Sequence, residues 1–233
     1  MTLHTIGLLG GMSYHSTVEY YVGINDVVAA SLGGHASAPI LLDSLDFAAV
    51  HAMQNANDWD GAGELLAAHA RALQDAGAQA IAICTNLMHK VAPAVEAALD
   101  VPLLHIVDAV ASEAHRRGLT SVGVMGARWT MTEPFYAGRL EKAGIQVVPA
   151  SDPDVVLTDK VVFDELTQGI VSDVSRQVLL GVVARLIGAG AEGVTLSCTE
   201  LPLILSEAVC GFPIVDSTRA HVAACSRFVL TGQ

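Results

Sequence analysis

Short apolar runs that end in glycines or in a polar cluster recur along this chain, with amphipathic stretches between them. "TIGLLGG" is an apolar strand running into glycines, and "SYHSTVEYYVGINDVVAAS" reads as the helix that follows, with Ser13 or Ser16 as N-cap. "PILLDSL" reads as a second strand, "DWDGAGELLAAHARALQDAGA" as an amphipathic helix ending at Gly77, "AIAIC" as a third strand and "VPLLHI" as a fourth. Apolar runs of about five residues between helices mark parallel strands buried on both faces. The predicted fold class is α/β.

The series then starts again. "TSVGVMG" resembles "HTIGLLG", "AGAEGVTLSCTE" resembles "AGAQAIAICTN", and "FPIVDSTRAH" resembles "VPLLHIVDAV". Gly7 and Gly123 are 116 residues apart, Thr85 and Cys198 113, and Pro102 and Pro213 111. Three correspondences in order at nearly constant offset predict a tandem duplication of one α/β unit. The expected architecture is two pseudo-symmetric lobes, each a parallel sheet flanked by helices. One would comprise residues 1–102 plus 214–233, the other 103–213. Ligands of open α/β sheets bind beyond the carboxyl ends of the strands. Both "CTN" and "SCTE" end a strand, so an active site in the cleft between the lobes is expected.

Composition narrows the function. The 233 residues carry a formal net charge of -12, with 52 % hydrophobic and 15 % charged residues. An acidic surface without a Lys/Arg cluster repels phosphates and anionic lipid, so no nucleic-acid or membrane partner is expected. No apolar run reaches the roughly 18 residues of a membrane helix. The start, "MTLHTIGLLGGM", lacks a basic n-region and a small-residue cleavage site and reads as a first strand. Cys84, Cys198, Cys210 and Cys225 are too few and too scattered for a disulfide scaffold, which suits a reducing cytoplasm.

Four constellations carry candidate chemistry. Gly10-Gly11-Met12-Ser13 follows strand one; glycines there permit close backbone approach to a small anion, or simply a tight turn. "GLLGGM" lacks the G-x-G-x-x-G spacing of a dinucleotide site, and no Walker motif occurs. Cys84-Thr85-Asn86-Leu87-Met88-His89 and Ser197-Cys198-Thr199-Glu200 each place a cysteine among polar residues at a strand end. A lone cysteine is most often a small buried hydrophobe, but the repeat pairs these two stretches. The cysteine and histidine spacing does not make a zinc site, so no metal is expected. "ARWTM" occupies the place of "GGMSY" in the second series, where Thr130 could hold a carboxylate or merely cap a helix. His89 could position its loop or exchange protons, while His105 and Asp216 occupy equivalent places after Pro102 and Pro213 and suit hinge or helix-cap chemistry. Cys210 and Cys225 read as structural.

On "IGLLGGMS", "CTNLMHK", the "T-M…Y…L" run after "VGVMG", and "SCTEL", the chain resembles the aspartate/glutamate racemase family over essentially its whole length. The resemblance implies two α/β lobes, frequent dimerisation (hence an expected homodimer), no cofactor, and inversion of an amino acid by two thiols on opposite faces of Cα. Thiols suit this work because they interconvert with thiolates at modest cost, and amides and hydroxyls around the substrate carboxylate can carry developing charge. The family's first motif usually reads C-N-T-x-H; here Thr85 precedes Asn86, Cys84 lies one place earlier, and Leu87 stands where the family has Thr. Two alignments compete. One sets Cys84 on Cys198 because both begin "CT"; the other keeps the strands ungapped and sets Cys84 on Ser197 and Thr85 on Cys198. Adjacent strand residues point to opposite faces, which favours the second.

The expected catalytic pair is therefore Thr85 and Cys198, or Cys84 in place of Thr85 if the register shifts by one. Met12, Gln54, Asn86, Leu87, Thr130, Thr199 and Glu200 are the expected substrate-binding residues. A Thr/Cys pair resembles a family variant associated with Asp/Glu-type substrates and preference for the L-enantiomer, and predicts unequal rates on the two faces. Further departures weaken the acidic-substrate reading. "G-T" after the fifth strand is Gly126-Ala127 here. Aspartate-specific members carry an Arg after strand two and a Lys before a Gly in the second lobe, where this chain has Ala49 or Val50 and Thr167. Arg128 or Lys160 could reach inward instead. The alternatives are a related isomerase or decarboxylase of the superfamily (maleate isomerase, hydantoin racemase, arylmalonate decarboxylase), a silent small-molecule binder, and, less well supported, a nucleotide-binding regulator.

Overall fold

The computed structural model describes residues 2–233. One compact unit runs to Ile106 and resumes at Thr218; the second is Val107–Ser217. The first holds β1 (Ile6–Gly10), α1 (Tyr14–Leu32), β2 (Ile40–Ser44), α2 (Phe47–Ala56), α3 (Trp59–Asp75), β3 (Ala80–Ile83), α4 (Ala92–Ala98) and β4 (Leu103–Leu104). The chain crosses at the start of α5 (Ile106–Arg116). The second unit continues with β5 (Ser121–Gly126), α6 (Arg128–Thr132), α7 (Pro134–Lys142), β6 (Gln146–Val148), α8 (Asp152–Asp164), α9 (Asp173–Gly188), β7 (Gly193–Ser197), α10 (Glu207–Cys210) and β8 (Ile214–Asp216). The last helix, α11 (Ser217–Thr231), returns the chain to the first unit.

Each unit has a four-stranded parallel sheet, ordered β2-β1-β3-β4 in one and β6-β5-β7-β8 in the other. The crossings fall after the short strands β4 and β8, not at Pro102 and Pro213 as the sequence boundaries had it. The reason is ladder pairing: Leu103 and Leu104 bond to β3, and Ile214 to Asp216 bond to β7. Each short strand thus completes the sheet of the unit it follows.

Period-two alternation sorts the strand residues between two helix layers. In the first unit, Leu9, Ile81 and Ile83 pack with Ala62, Leu66, Ala70 and Leu73 of α3. Ile6, Leu8, Ala82 and Cys84 pack on the other face with Tyr20, Ile24 and Val28 of α1 and Cys225 and Val229 of α11. The apolar spacing on α1 and α3, three and four residues apart, is what aims one stripe of each helix at the sheet. In the second unit Val194 and Leu196 share a cluster with Leu179, Val182 and Leu186 of α9.

The two units repeat in backbone detail. Gly77 and Gly190 close α3 and α9 at φ 106° and 107°, a region that glycine enters without a Cβ penalty. Gln79 N–H donates to Thr5 O at 2.8 Å, and Glu192 N–H to Ser121 O at 3.2 Å. Ile81 N–H meets Pro102 O at 2.9 Å, and Val194 N–H meets Pro213 O at 3.0 Å. The repeat read from sequence is therefore a repeat of hydrogen bonds.

Cys84 is 1 % exposed inside its cluster, and burial pushes its thiol well above the ordinary range. Such a thiol is a small hydrophobe. Cys84→Ala should cost about 1 kcal/mol of stability through lost burial and a small cavity, a change that denaturant titration would read as a lower midpoint at unchanged slope.

Candidate active site

The ladders set the register of the two strand ends. Gly7 lies opposite Ile81 in the first sheet, and its counterpart Gly123 lies opposite Val194 in the second. Ile81 therefore corresponds to Val194. Counting on along the strands, Cys84 corresponds to Ser197 and Thr85 to Cys198, each pair 113 residues apart. Side chains agree with the backbone. Cys84 packs beside Tyr20 of α1, and Ser197 donates to Tyr136 Oη of α7 at 2.8 Å. Tyr20 and Tyr136 are both fully buried, and both stand 116 residues apart like Gly7 and Gly123.

Thr85, the first residue beyond Cys84, is partly exposed. Its carbonyl accepts from His89 Nδ1 at 2.8 Å. Asn86, Leu87 and Met88 are buried as the chain enters a 3₁₀ turn at Leu87–Val91. Met12 packs with Leu9, Val50 and Met88 in the apolar cluster. Gln54 is buried on α2, where its Nε2–H donates to Met88 Sδ at 3.1 Å. Both are thus brought to the loop that follows β3. Gly11 lies at φ 86°, and a Cβ there would fall 2.1 Å from Leu45 O, so this turn requires glycine. The Gly11 amide is used within the turn, donating to Thr17 Oγ1 at 2.8 Å.

In the second unit, Cys198 Sγ donates to Glu200 Oε2 at 3.1 Å, and Thr199 Oγ1 donates to the same oxygen at 2.7 Å. Burial pushes the Cys198 thiol well above its ordinary pKa, and the Glu200 carboxylate adds to the rise, with Asp159 as a smaller contribution. The resting group is a thiol, and the thiolate formed from it is a stronger base than an exposed one. A chain of hydroxyls lies behind it: Thr195 Oγ1 to Ser197 Oγ at 3.1 Å, then Tyr136 Oη, whose pKa burial pushes up to about 12.

Thr130 sits inside α6, not at its cap, and is 1 % exposed. Among the described residues its hydroxyl has no protein partner, nor has that of Thr158 on α8. Leaving a buried hydroxyl unpaired costs about 1–3 kcal/mol, which a polar ligand atom would remove. Arg128 uses its backbone N–H to bond Asp159 Oδ1 at 2.8 Å and stacks its exposed guanidinium 4.2 Å over Trp129. Lys160 is exposed. Ala49 is exposed and Val50 buried in the apolar cluster, and Thr167 Oγ1 donates to Phe163 O at 3.0 Å.

Tyr20 and Tyr136 were missed by sequence reading, although their 116-residue offset was there to be found. The approach of His89 to His105 and His221, with ring centroids 4.4 and 5.8 Å away, has no sequence signal. Among the described residues no helix is long and apolar enough to cross a membrane.

A family model described as Asp/Glu/Hydantoin racemase matches residues 9–225. The crystal structure of a candidate Asp/Glu racemase from Yersinia pestis superposes with a TM-score of 0.93 at 41% identity, over 98% of this chain and 100% of that one. An aspartate racemase homologue from Pyrococcus horikoshii gives 0.84 at 30% identity, over 98% and 100% of the two chains. Glutamate racemase from Francisella tularensis, in complex with D-glutamate, gives 0.67 at 15% identity over 100% of this chain and 83% of that one, a similarity of fold. The chain belongs to the Asp/Glu/Hydantoin racemase family.

Proposed function

We propose that this protein is an amino-acid racemase that works without a cofactor, with Cys198 and Thr85 exchanging protons on the two faces of Cα. The observation that carries this reading is the shared register: Thr85 and Cys198 are the equivalent first residues beyond Cys84 and Ser197 in a duplicated unit. Family membership supplies the reaction class.

The α-proton of an amino-acid carboxylate is very weakly acidic, so the base must be strong when formed and the carbanion must be stabilised where its charge develops. Cys198 meets the first need, since burial and Glu200 raise the basicity of its thiolate. The Thr130 hydroxyl, unpartnered among the described residues, is suited to the second with the Asn86 side-chain amide, as a donor to the substrate carboxylate, while Thr199, whose hydroxyl donates to Glu200, would line the site. Thr85 returns a proton on the other face, or takes one there with the help of water. A hydroxyl is a far poorer acid and base than a thiol, so the two faces react at unequal rates while the equilibrium between free enantiomers is unchanged.

The substrate side chain is less acidic or more varied than aspartate. Ala49 or Val50, and Thr167, stand near where the family resemblance would put a cationic clamp, and the Thr167 hydroxyl is bonded to Phe163 O. Gln54 and Met12 would line this part of the site.

The test is a panel of L- and D-amino acids incubated with the protein in deuterium oxide and read by NMR. Inversion with Cα deuteration of at least one pair is expected. Binding without Cα exchange would point to a silent binder and overturn the proposal.

The thiol also gives a pH prediction. A raised pKa means that kcat/KM climbs with pH until Cys198 ionises. Glu200→Gln removes a carboxylate that raises this pKa, so the acid limb should move to lower pH and the plateau should fall, because the thiolate is then a weaker base. A pH–rate profile of both proteins checks it; an unmoved limb would separate Glu200 from the titration of Cys198.

A further inference from the structure

We propose that His89 is a positioning residue for Thr85, a role that rests on the racemase reading and adds to it. The geometry assigns its protons. A carbonyl oxygen can only accept, so Nδ1, 2.8 Å from Thr85 O, carries the hydrogen. A backbone amide can only donate, so Nε2, 3.2 Å from Ile106 N, is bare. His89 is therefore the neutral Nδ1–H tautomer, set by its two backbone partners. It ties the carbonyl of the proposed catalytic residue to the last residue before the chain enters the second unit.

The ring is held on its sides as well as at its nitrogens. His105 meets it edge-on at 4.4 Å and His221 at 5.8 Å. His221 is itself fixed, with Nε2–H on Leu104 O at 2.7 Å and Tyr20 Oη–H on Nδ1 at 2.7 Å. All three histidines are at most 5 % exposed. Among the described residues no three His, Cys, Asp or Glu side chains converge as metal ligands, and both nitrogens of His89 and of His221 already have protein partners. Such a cluster orients; it does not relay protons to solvent. A rigid imidazole strut is what a weak proton carrier such as Thr85 needs, because misplacement of a reacting group by about 1 Å can cost about 100-fold.

Two substitutions separate the bonds. The Asn side chain reaches as far as Nδ1 and the Gln side chain as far as Nε2. His89→Asn should therefore keep the donor to Thr85 O and retain racemisation within a few-fold of the unmodified protein. His89→Gln should keep the contact to Ile106 and lose about 100-fold. In His89→Gln the Cα deuteration that needs Cys198 alone, with retention of configuration, should persist. Equal losses in the two variants, or parallel loss of racemisation and of retained exchange, would overturn the proposal in favour of a general structural role. If the unmodified protein exchanges Cα protons of no amino acid, the racemase reading fails, and the ring-nitrogen spectrum still judges His89. In 15N NMR of the full chain, a protonated Nδ1 beside a bare Nε2 is expected, and the opposite tautomer or an imidazolium would contradict it.

Discussion

Cys198→Ala should lower racemisation by about 1,000-fold, within the span that one general acid–base group contributes, and should also stop the Cα exchange that occurs with retention. Both losses follow from one role. Cys198 is the only proton carrier proposed for its face; a carboxylate such as Glu200 is by nature a far weaker base than a thiolate, and the Thr199 hydroxyl gives its hydrogen to Glu200 Oε2. The substitution should leave the fold intact, since Cys198 is only partly buried at the edge of the α9-facing cluster. Chiral chromatography gives the racemisation rate, and NMR in deuterium oxide gives the exchange. Full exchange in the variant would remove Cys198 from the chemistry.

Thr85→Cys should act in the opposite direction and raise racemisation about tenfold or more, by giving the weaker face a thiol. The gain should come with a smaller gap between racemisation and Cα exchange, since both faces would then transfer protons at comparable rates. The strand ends that carry residues 85 and 198 are built alike, so a thiol at 85 would stand where the repeat already places one. A variant that folds but races no faster would mean that Thr85 is not the limiting carrier, and the unequal-face mechanism would fall.

The parallel strands and their repetition were legible because buried strands leave continuous apolar runs and their turns leave glycines. "TIGLLGG" and "TSVGVMG" became β1 and β5 at matching places in their sheets. Helix α2 was not legible: its buried residues are Val50 and Gln54, a single four-residue step too short to show a period. The unit boundaries were missed by a few residues because β4 and β8 are two and three residues long, and only their ladder bonds tell which sheet owns them. The position of Cys84 relative to Thr85 could be argued from strand alternation alone, and the ladders count it out from Gly7 and Gly123. The histidine cluster could not be read, since His89, His105 and His221 meet only after the chain has left the first unit and returned.

The central claim is that Thr85, and not its neighbour Cys84, carries protons opposite the role of Cys198. Racemisation by Cys84→Ala and Thr85→Ala, measured side by side with matched protein concentration and circular dichroism, tests it most directly. The account predicts that Cys84→Ala racemises near the rate of the unmodified protein and that Thr85→Ala loses racemisation by about 100-fold or more. An inactive Cys84→Ala beside an active Thr85→Ala would contradict it.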